Sequence, residues 1–205
     1  PTSPPSLPRL SPMELAARQS ELADGALGVL AQEGIAAVTF RSVAGTSGWS
    51  LGAVQKAFAT KDDLLAAMFT RLRASAGLAP SRPPGEPDVA TWLTELLLGI
   101  LPTDETRRAL TLQGAAFGER AAYDAHLATA LAESDAGLRE LIASLVKLGQ
   151  SRGEVPAAAS PEAAAWAFLA LAQGAATQLL YDPVKADVLA TRARAAVDAI
   201  LAVAH

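Results

Sequence analysis

The chain has 205 residues, room for one or two compact units at roughly 150 residues per domain, and its 51% hydrophobic and 19% charged content excludes a disordered tail. With no cysteine, a disulfide framework, a thiolate metal site and a Cys nucleophile are excluded, and His126 and His205 alone are too few for a histidine-rich metal site. The net charge of −4 argues against coating nucleic acid by bulk charge, yet up to residue 61 the cations Arg9, Arg18, Arg41, Lys56 and Lys61 outnumber the anions Glu14, Glu21, Asp24 and Glu33.

Ala and Leu supply most of the apolar content and aromatics are only 5%, which points to an all-α protein. The opening PTSPPSLPRL predicts a flexible arm over 1–11 and has no apolar run of signal-peptide length. Nothing in it directs export, so a cytoplasmic protein is expected. Ser11-Pro12-Met13-Glu14 has the pattern of a capping box and opens a helix over 12–33, closed at Gly34. Thr39 caps a short helix over 40–46, Gly48 breaks it, and Ser50 caps another over 51–57. Thr60, followed by Asp62 and Asp63 in the dipole-favoured first turn, begins a fourth helix that extends to 77.

The proline-rich stretch from Ala79 to Pro87 separates a small head from a larger body. Helices are predicted in the body over 88–101, 104–117, 120–150, 161–181 and 184–203, making nine in all. Ala163 to Tyr181 carries no charged residue, but Gln173, Gly174, Thr177 and Gln178 interrupt it. A buried or partner-facing helix fits it better than a membrane span, and no membrane partner is expected.

The most informative stretch is Val38 to Leu65. Ala44, Gly48 and Val54 have helix-turn-helix spacing: a small residue for close approach, a glycine for the positive φ of the turn, and an apolar residue to pack the second helix on the first. The second helix of such a unit enters the major groove. Together with Glu33-Gly34, Thr39, Val43, Phe58, Lys61 and Leu64-Leu65, this run resembles the DNA-binding head of TetR-type transcriptional regulators. LLGILPTDETRRALTLQGAAFGERA and the later RELIASLVKLGQSRGEV and QLLYDP resemble the ligand-binding half of the subgroup that includes betaine-pathway, choline-responsive repressors.

The resemblance implies phosphate contacts from Thr39, Arg41, Gln55 and Lys61, and base or sugar contacts from Ser50, Leu51, Gly52 and Ala53. Lys56 is a further cation in reach of phosphate. The sequence departs from the family at Gln55, where Tyr is usual, and at Ala57, where His or Tyr is usual, which predicts unusual affinity or operator preference. Trp49 is either a packing wedge against the first helix or an exposed ring near the sugar-phosphate backbone.

In the body, Trp92, Phe117, Tyr123, Trp166 and Phe168 are the large rings available to wall a ligand cavity, with Gln113, His126, Gln173 and Thr177 as polar anchors. Ala164, Ala167, Leu171, Gly174, Gln178 and Tyr181 form a mostly small-residue stripe on the eighth helix; Leu189, Ala193, Ala196, Ile200 and Val203 form one on the ninth. Packed against two-fold copies these stripes make a four-helix dimer interface, as the resemblance also implies; the alternative is burial within the chain.

No nucleophile elbow, HExxH or Gly-rich phosphate loop occurs, and Asp62-Asp63 and Asp104-Glu105 are explained as first-turn acids, so neither an enzyme nor a cofactor is expected. The sequence therefore predicts an arm over 1–11, a helix-turn-helix domain over 12–60 and a ligand-binding and dimerisation domain over 61–205. The expected partners are double-stranded operator DNA, a small-molecule effector and a second copy of the chain. The competing reading is a ligand-binding helical dimer whose head has lost specific DNA binding.

Overall fold

The computed structural model of the protein describes residues 11–75 and 82–202. Among the described residues there are nine α-helices, one short 3₁₀ turn at Ile35–Ala37 and no strand. The helices are α1 (Pro12–Glu33), α2 (Phe40–Ser47), α3 (Leu51–Ala57), α4 (Lys61–Ser75), α5 (Val89–Ile100), α6 (Glu105–Ala121), α7 (Ala125–Ser151), α8 (Pro161–Leu179) and α9 (Ala186–Ala202). The chain divides into two compact units, one ending at Arg71 and one beginning at Leu72, with the division inside α4.

Local capping chemistry sets where the head helices start. Ser11 accepts from the Glu14 N–H at 3.3 Å while the Ser11 N–H donates to Glu14 Oε2 at 2.8 Å, a complete capping box. Thr39 and Ser42 make the same exchange at the start of α2, at 3.0 and 2.9 Å. Thr60 and Asp63 repeat it before α4, at 3.1 and 2.9 Å. Gly48 ends α2 in the left-handed region at φ 72°, where a β-carbon would cost about 1–2 kcal/mol. The core of this unit is built from Leu22, Ala26 and Val29 of α1, Val43 and Ala44 of α2, Val54 of α3, and Phe58, Leu64 and Leu65. Close approach of α1 and α2 depends on Gly25, where a β-carbon would stand 3.2 Å from Ser47 Cβ. Arg71 forks onto Asp24, with Nε donating to Oδ1 at 2.9 Å and Nη2 to Oδ2 at 2.8 Å, tying α4 to α1.

The second unit has its own core. Trp92, Leu93, Leu96 and Leu97 of α5 pack with Ile142, Leu145 and Val146 of α7, Ala165, Phe168 and Ala172 of α8, and Leu189, Ala193 and Val197 of α9. Burial contributes about 1.5–3 kcal/mol for each of the larger side chains. The connection between α7 and α8 also holds the start of α5. Glu154 Oε2 accepts from the Val89 N–H at 2.9 Å, and Arg152 Nη1 donates to the Gly85 carbonyl at 3.0 Å. Gln150 Nε2 donates to the Ala159 carbonyl at 2.8 Å and so closes that connection on itself.

Several helix boundaries differ from the sequence-based expectation. The sixth helix, expected to end at 117, continues to Ala121, because Gly118 lies on an exposed face and does not break it. The seventh, expected from 120, begins at Ala125, where the buried Asp124 caps it by accepting from the Leu127 N–H at 3.1 Å. The eighth and ninth helices end and begin about two residues inside the expected 181 and 184. Residues 76 and 77 of the expected fourth helix, Val203 and residues 1–10 of the expected arm lie outside the described residues.

Candidate nucleic-acid interface and helical body

The helix-turn-helix residues occupy the places their spacing demands. Ala44 and Val54 are buried between helices, and Gly48 makes the left-handed turn. The side chains this leaves outside are the ones expected to meet DNA. Thr39, Arg41, Ser50, Leu51, Gly52, Gln55, Lys56 and Lys61 are exposed, and Ala53 is half-buried. Thr39 Oγ1 and Ser50 Oγ are used as caps, accepting from the N–H groups of Ser42 and Ala53 at 3.0 and 3.2 Å. Arg41, Lys56 and Lys61 form no ion pair among the described residues, whereas Arg71, the last cation of this unit, is neutralised by Asp24. Among the described residues the head therefore presents Arg41 on α2, Lys56 on α3 and Lys61 at the start of α4 without an ion pair, and these are groups that can displace counterions from phosphate.

Of the two departures from the family pattern, only Gln55 reaches the surface. Ala57 is 6% exposed and packs inward, so the small side chain there serves the head's core. Its carbonyl accepts a hydrogen bond from Gln19 Nε2 at 2.8 Å. Trp49 takes the packed position of the two left open by the sequence: it is half-buried, with the Arg18 guanidinium carbon 4.4 Å from its ring centroid. Sequence reasoning missed Ser42 and Gln19. The Thr39-x-x-Ser42 spacing was a signal for the first, but nothing local marks a contact between residues 38 positions apart.

In the body, the residues proposed for ligand contact scatter. Trp92 and Phe117 are buried, Gln113 is half-buried, and Tyr123 and Trp166 are 84% and 67% exposed. Trp92 Nε1 donates to the Arg82 carbonyl at 3.3 Å. Gln173 and Thr177 lie on the exposed side of α8, where Gln173 Nε2 donates to Asp135 Oδ2 at 3.2 Å. His126 is exposed and Phe168 is fully buried in the core. A cavity of about 220 Å³ opens elsewhere, between α5, α8 and α9; Leu97, Leu101, Leu171 and Leu179 wall it, with Gln178, Asp182 and Arg192 as polar lining. None of the expected ligand residues lines it.

The two association stripes divide between inside and outside. Ala164, Leu189 and Ala193 belong to the body's own core, and Ala167, Leu171, Ala196 and Ile200 are half-buried. Gly174, Gln178 and Tyr181 are exposed. The outward face of α8 instead runs through Ala163, Trp166, Ala170, Gly174, Thr177 and, just past the helix, Tyr181. On α9 it runs through Val188, Arg192, Ala195, Ala199 and Ala202. Both sets have helical spacing, and the α8 set carries two of the most exposed aromatic rings of the described residues, Trp166 and Tyr181.

Among the described residues, no group of His, Cys, Asp or Glu is arranged to hold a metal ion. No described helix is long and apolar enough to cross a membrane.

Comparison with known proteins agrees with this geometry. Residues 22–68 match the model of bacterial regulatory proteins of the tetR family, and residues 89–204 match that of the BetI-type transcriptional repressor C-terminal domain. These models describe transcriptional regulators, not enzymes. No curated protein matches the chain. Among solved structures it is similar to a transcriptional regulator from Rhodococcus sp. Rha1, at 26% identity and a TM-score of 0.77 over 89% of this chain and 95% of that one. It is similar also to the multidrug binding protein EbrR complexed with imidazole, at 25% identity and a TM-score of 0.66 over 92% of this chain and 97% of that one. The likeness to Salmonella enterica GusR, at 17% identity and a TM-score of 0.74 over 94% and 97% of the two chains, concerns the fold alone.

Proposed function

The chain belongs to the TetR family of bacterial transcriptional regulators, and from that premise we propose that it is a repressor: a homodimer that holds a near-palindromic operator and leaves it when a small-molecule effector enters the body. The observation that carries the DNA half is the exposed set on and beside α3. Leu51, Gly52 and Gln55 stand free for base edges while Arg41, Lys56 and Lys61 stand exposed for phosphate. Residues 12–60 are the DNA-binding domain in this reading, and 61–205 the effector and dimerisation domain. Such a regulator works in the cytoplasm, where its operator is.

The dimer reading is supported by the outward faces of α8 and α9. Trp166, Ala170, Gly174, Thr177 and Tyr181 of one copy, with Val188, Ala195 and Ala199, would meet their two-fold equivalents in a four-helix interface. Two heads related by that axis place their α3 helices in successive major grooves about 34 Å apart. An effector that binds better to another arrangement of α4 shifts the population away from that spacing, by no more than its differential affinity for the two states. The EbrR complexes with imidazole, proflavin, ethidium and malachite green support a small organic effector. Trp92, Gln113 and Phe117 are the body residues retained as candidates to contact it. The second reading, a ligand-binding dimer with a degenerate head, rests on Gln55 and Ala57, which stand where the family has larger polar rings, and on the small excess of cations over anions up to residue 61.

In vitro selection of bound fragments from the source genome, followed by anisotropy titration at several salt concentrations, tests the proposal. A recovered inverted repeat, bound by a dimer and more weakly as salt rises, is the expected result. A folded dimer that enriches no sequence would overturn it in favour of the second reading.

A further inference from the structure

Two consecutive residues of α1 hold α3 at opposite ends. The Arg18 guanidinium carbon lies 4.4 Å from the ring centroid of Trp49, the residue immediately before the α3 N-cap Ser50. Gln19 Nε2 donates at 2.8 Å to the carbonyl of Ala57, the last residue of α3. α3 is only seven residues long, far below the length at which a helix stands by itself, so tertiary contacts decide how it is held. Val54 and Ala57, both buried, seat one face of it on the head's core without a directional contact. The Arg18 and Gln19 contacts supply two directional ones, one at each end.

Each contact has a physical basis of its own. Arg18 Nε is buried with no hydrogen-bond partner, so the guanidinium is held by the indole face and not by a hydrogen bond at that nitrogen. Gln19 satisfies one of the carbonyls that a helix end leaves without an internal partner. Neither residue is among those expected to touch DNA.

We propose that Arg18 and Gln19 are positioning residues for operator reading, clamping α3 at both ends and so fixing the angle at which Leu51, Gly52 and Gln55 meet the base edges. This role rests on the DNA-binding function proposed for the head. Its signature is a loss of discrimination with phosphate binding retained, because a tilted reader still sits on the backbone.

The test uses the full chain and two fluorescein-labelled duplexes: one recovered from the genomic selection and one shuffled to the same length and composition. The ratio of the two affinities is the readout, with circular dichroism to establish that each variant is folded. Arg18→Ala and Gln19→Glu, the latter keeping the size of Gln19 while removing its donor, should each lower the ratio by about three- to tenfold, the scale of one cation–π contact or one hydrogen bond. The salt slope on the shuffled duplex should stay unchanged, and Arg18→Lys, which keeps a cation over the ring, should recover most of the ratio. An unchanged ratio in both folded variants, even with a lowered unfolding midpoint, would overturn the proposal by reducing the contacts to head stability. So would a flatter salt slope with an unchanged ratio, which would make Arg18 a phosphate contact. A wild-type protein that does not distinguish the two duplexes would instead overturn the DNA-reading function itself, and the proposal with it.

Discussion

Gly149 and Val155 lie so close that a β-carbon on Gly149 would stand 2.6 Å from Val155 Cγ2. Gly149 sits in the last turns of α7, and its carbonyl accepts from the N–H groups of Glu154 and Val155 at 2.8 and 3.3 Å as the chain folds back through Gly153. Val155 is itself buried and cannot step aside. Gly149→Ala should therefore destabilise the protein by about 1–3 kcal/mol through overpacking, read as a lower urea midpoint by circular dichroism. Adding Val155→Ala should return part of that loss, so the double variant is less damaged than the sum of the singles. Additive losses would show that the two side chains do not compete for the same space.

Arg41→Ala and Lys61→Ala each remove one of the head's exposed cations. Each should weaken binding to every duplex and flatten the dependence of log affinity on log salt by about 0.9 for every phosphate no longer neutralised, once for each head of a dimer. Substituting Leu51, exposed on α3 without charge, should alter which sequence is preferred and leave the slope alone. Anisotropy titrations on selected and shuffled duplexes separate these outcomes; Arg41→Ala changing only the preferred sequence would refute its assignment to phosphate.

Trp166 and Ala199 stand on the outward faces of α8 and α9, Trp166 at 67% exposure. Trp166→Glu or Ala199→Glu should cost the single chain little and place like charges across a two-fold interface, shifting the dimer to monomer in multi-angle light scattering. Leu189→Glu, at a residue of the body's own core, should instead reduce the yield of folded protein. If Trp166→Glu and Ala199→Glu both remain dimeric, the interface lies elsewhere.

Asp88 caps α5, with Oδ1 accepting from the Thr91 N–H at 2.7 Å and Oδ2 from Thr91 Oγ1 at 2.8 Å. The Thr91 backbone N–H is the main cause that holds this carboxyl below the usual carboxylate range; partial burial opposes it, and the Thr91 hydroxyl and Arg194 add to it. A carboxyl with a lower pKa folded than unfolded stabilises the fold fully above its unfolded value of about 3.9, and loses that contribution as pH falls through the folded value. Asp88→Ala should cost about 0.5–2 kcal/mol at neutral pH, and the gap in unfolding midpoint from wild type should narrow below pH about 3.9. Asp88→Asn, which keeps a capping oxygen, should recover much of the loss at neutral pH without that pH dependence.

The features legible in the sequence are mostly local. The starts of α1, α2 and α3 follow from Ser11, Thr39 and Ser50, whose side chains reach N–H groups three residues away, and the turn follows from a glycine that accepts positive φ. These contacts span a few residues, so their spacing is visible in a string of letters. The α6–α7 boundary was less legible because Gly118 has the look of a helix end, and the burial of Asp124 that places the true start depends on the packed body. Which side of α8 and α9 faces in was settled by packing alone. Their alanines occupy every side, so the sequence has little contrast between an apolar and a polar face, and contact with α5 and α7 made Ala164, Leu189 and Ala193 core while leaving Trp166 outside. The same holds in the head. That Ala57 is an inward residue, and that Arg18 and Gln19 reach the two ends of α3, depends on bringing α1 against α3 across an intervening helix, a long-range arrangement that no periodicity encodes.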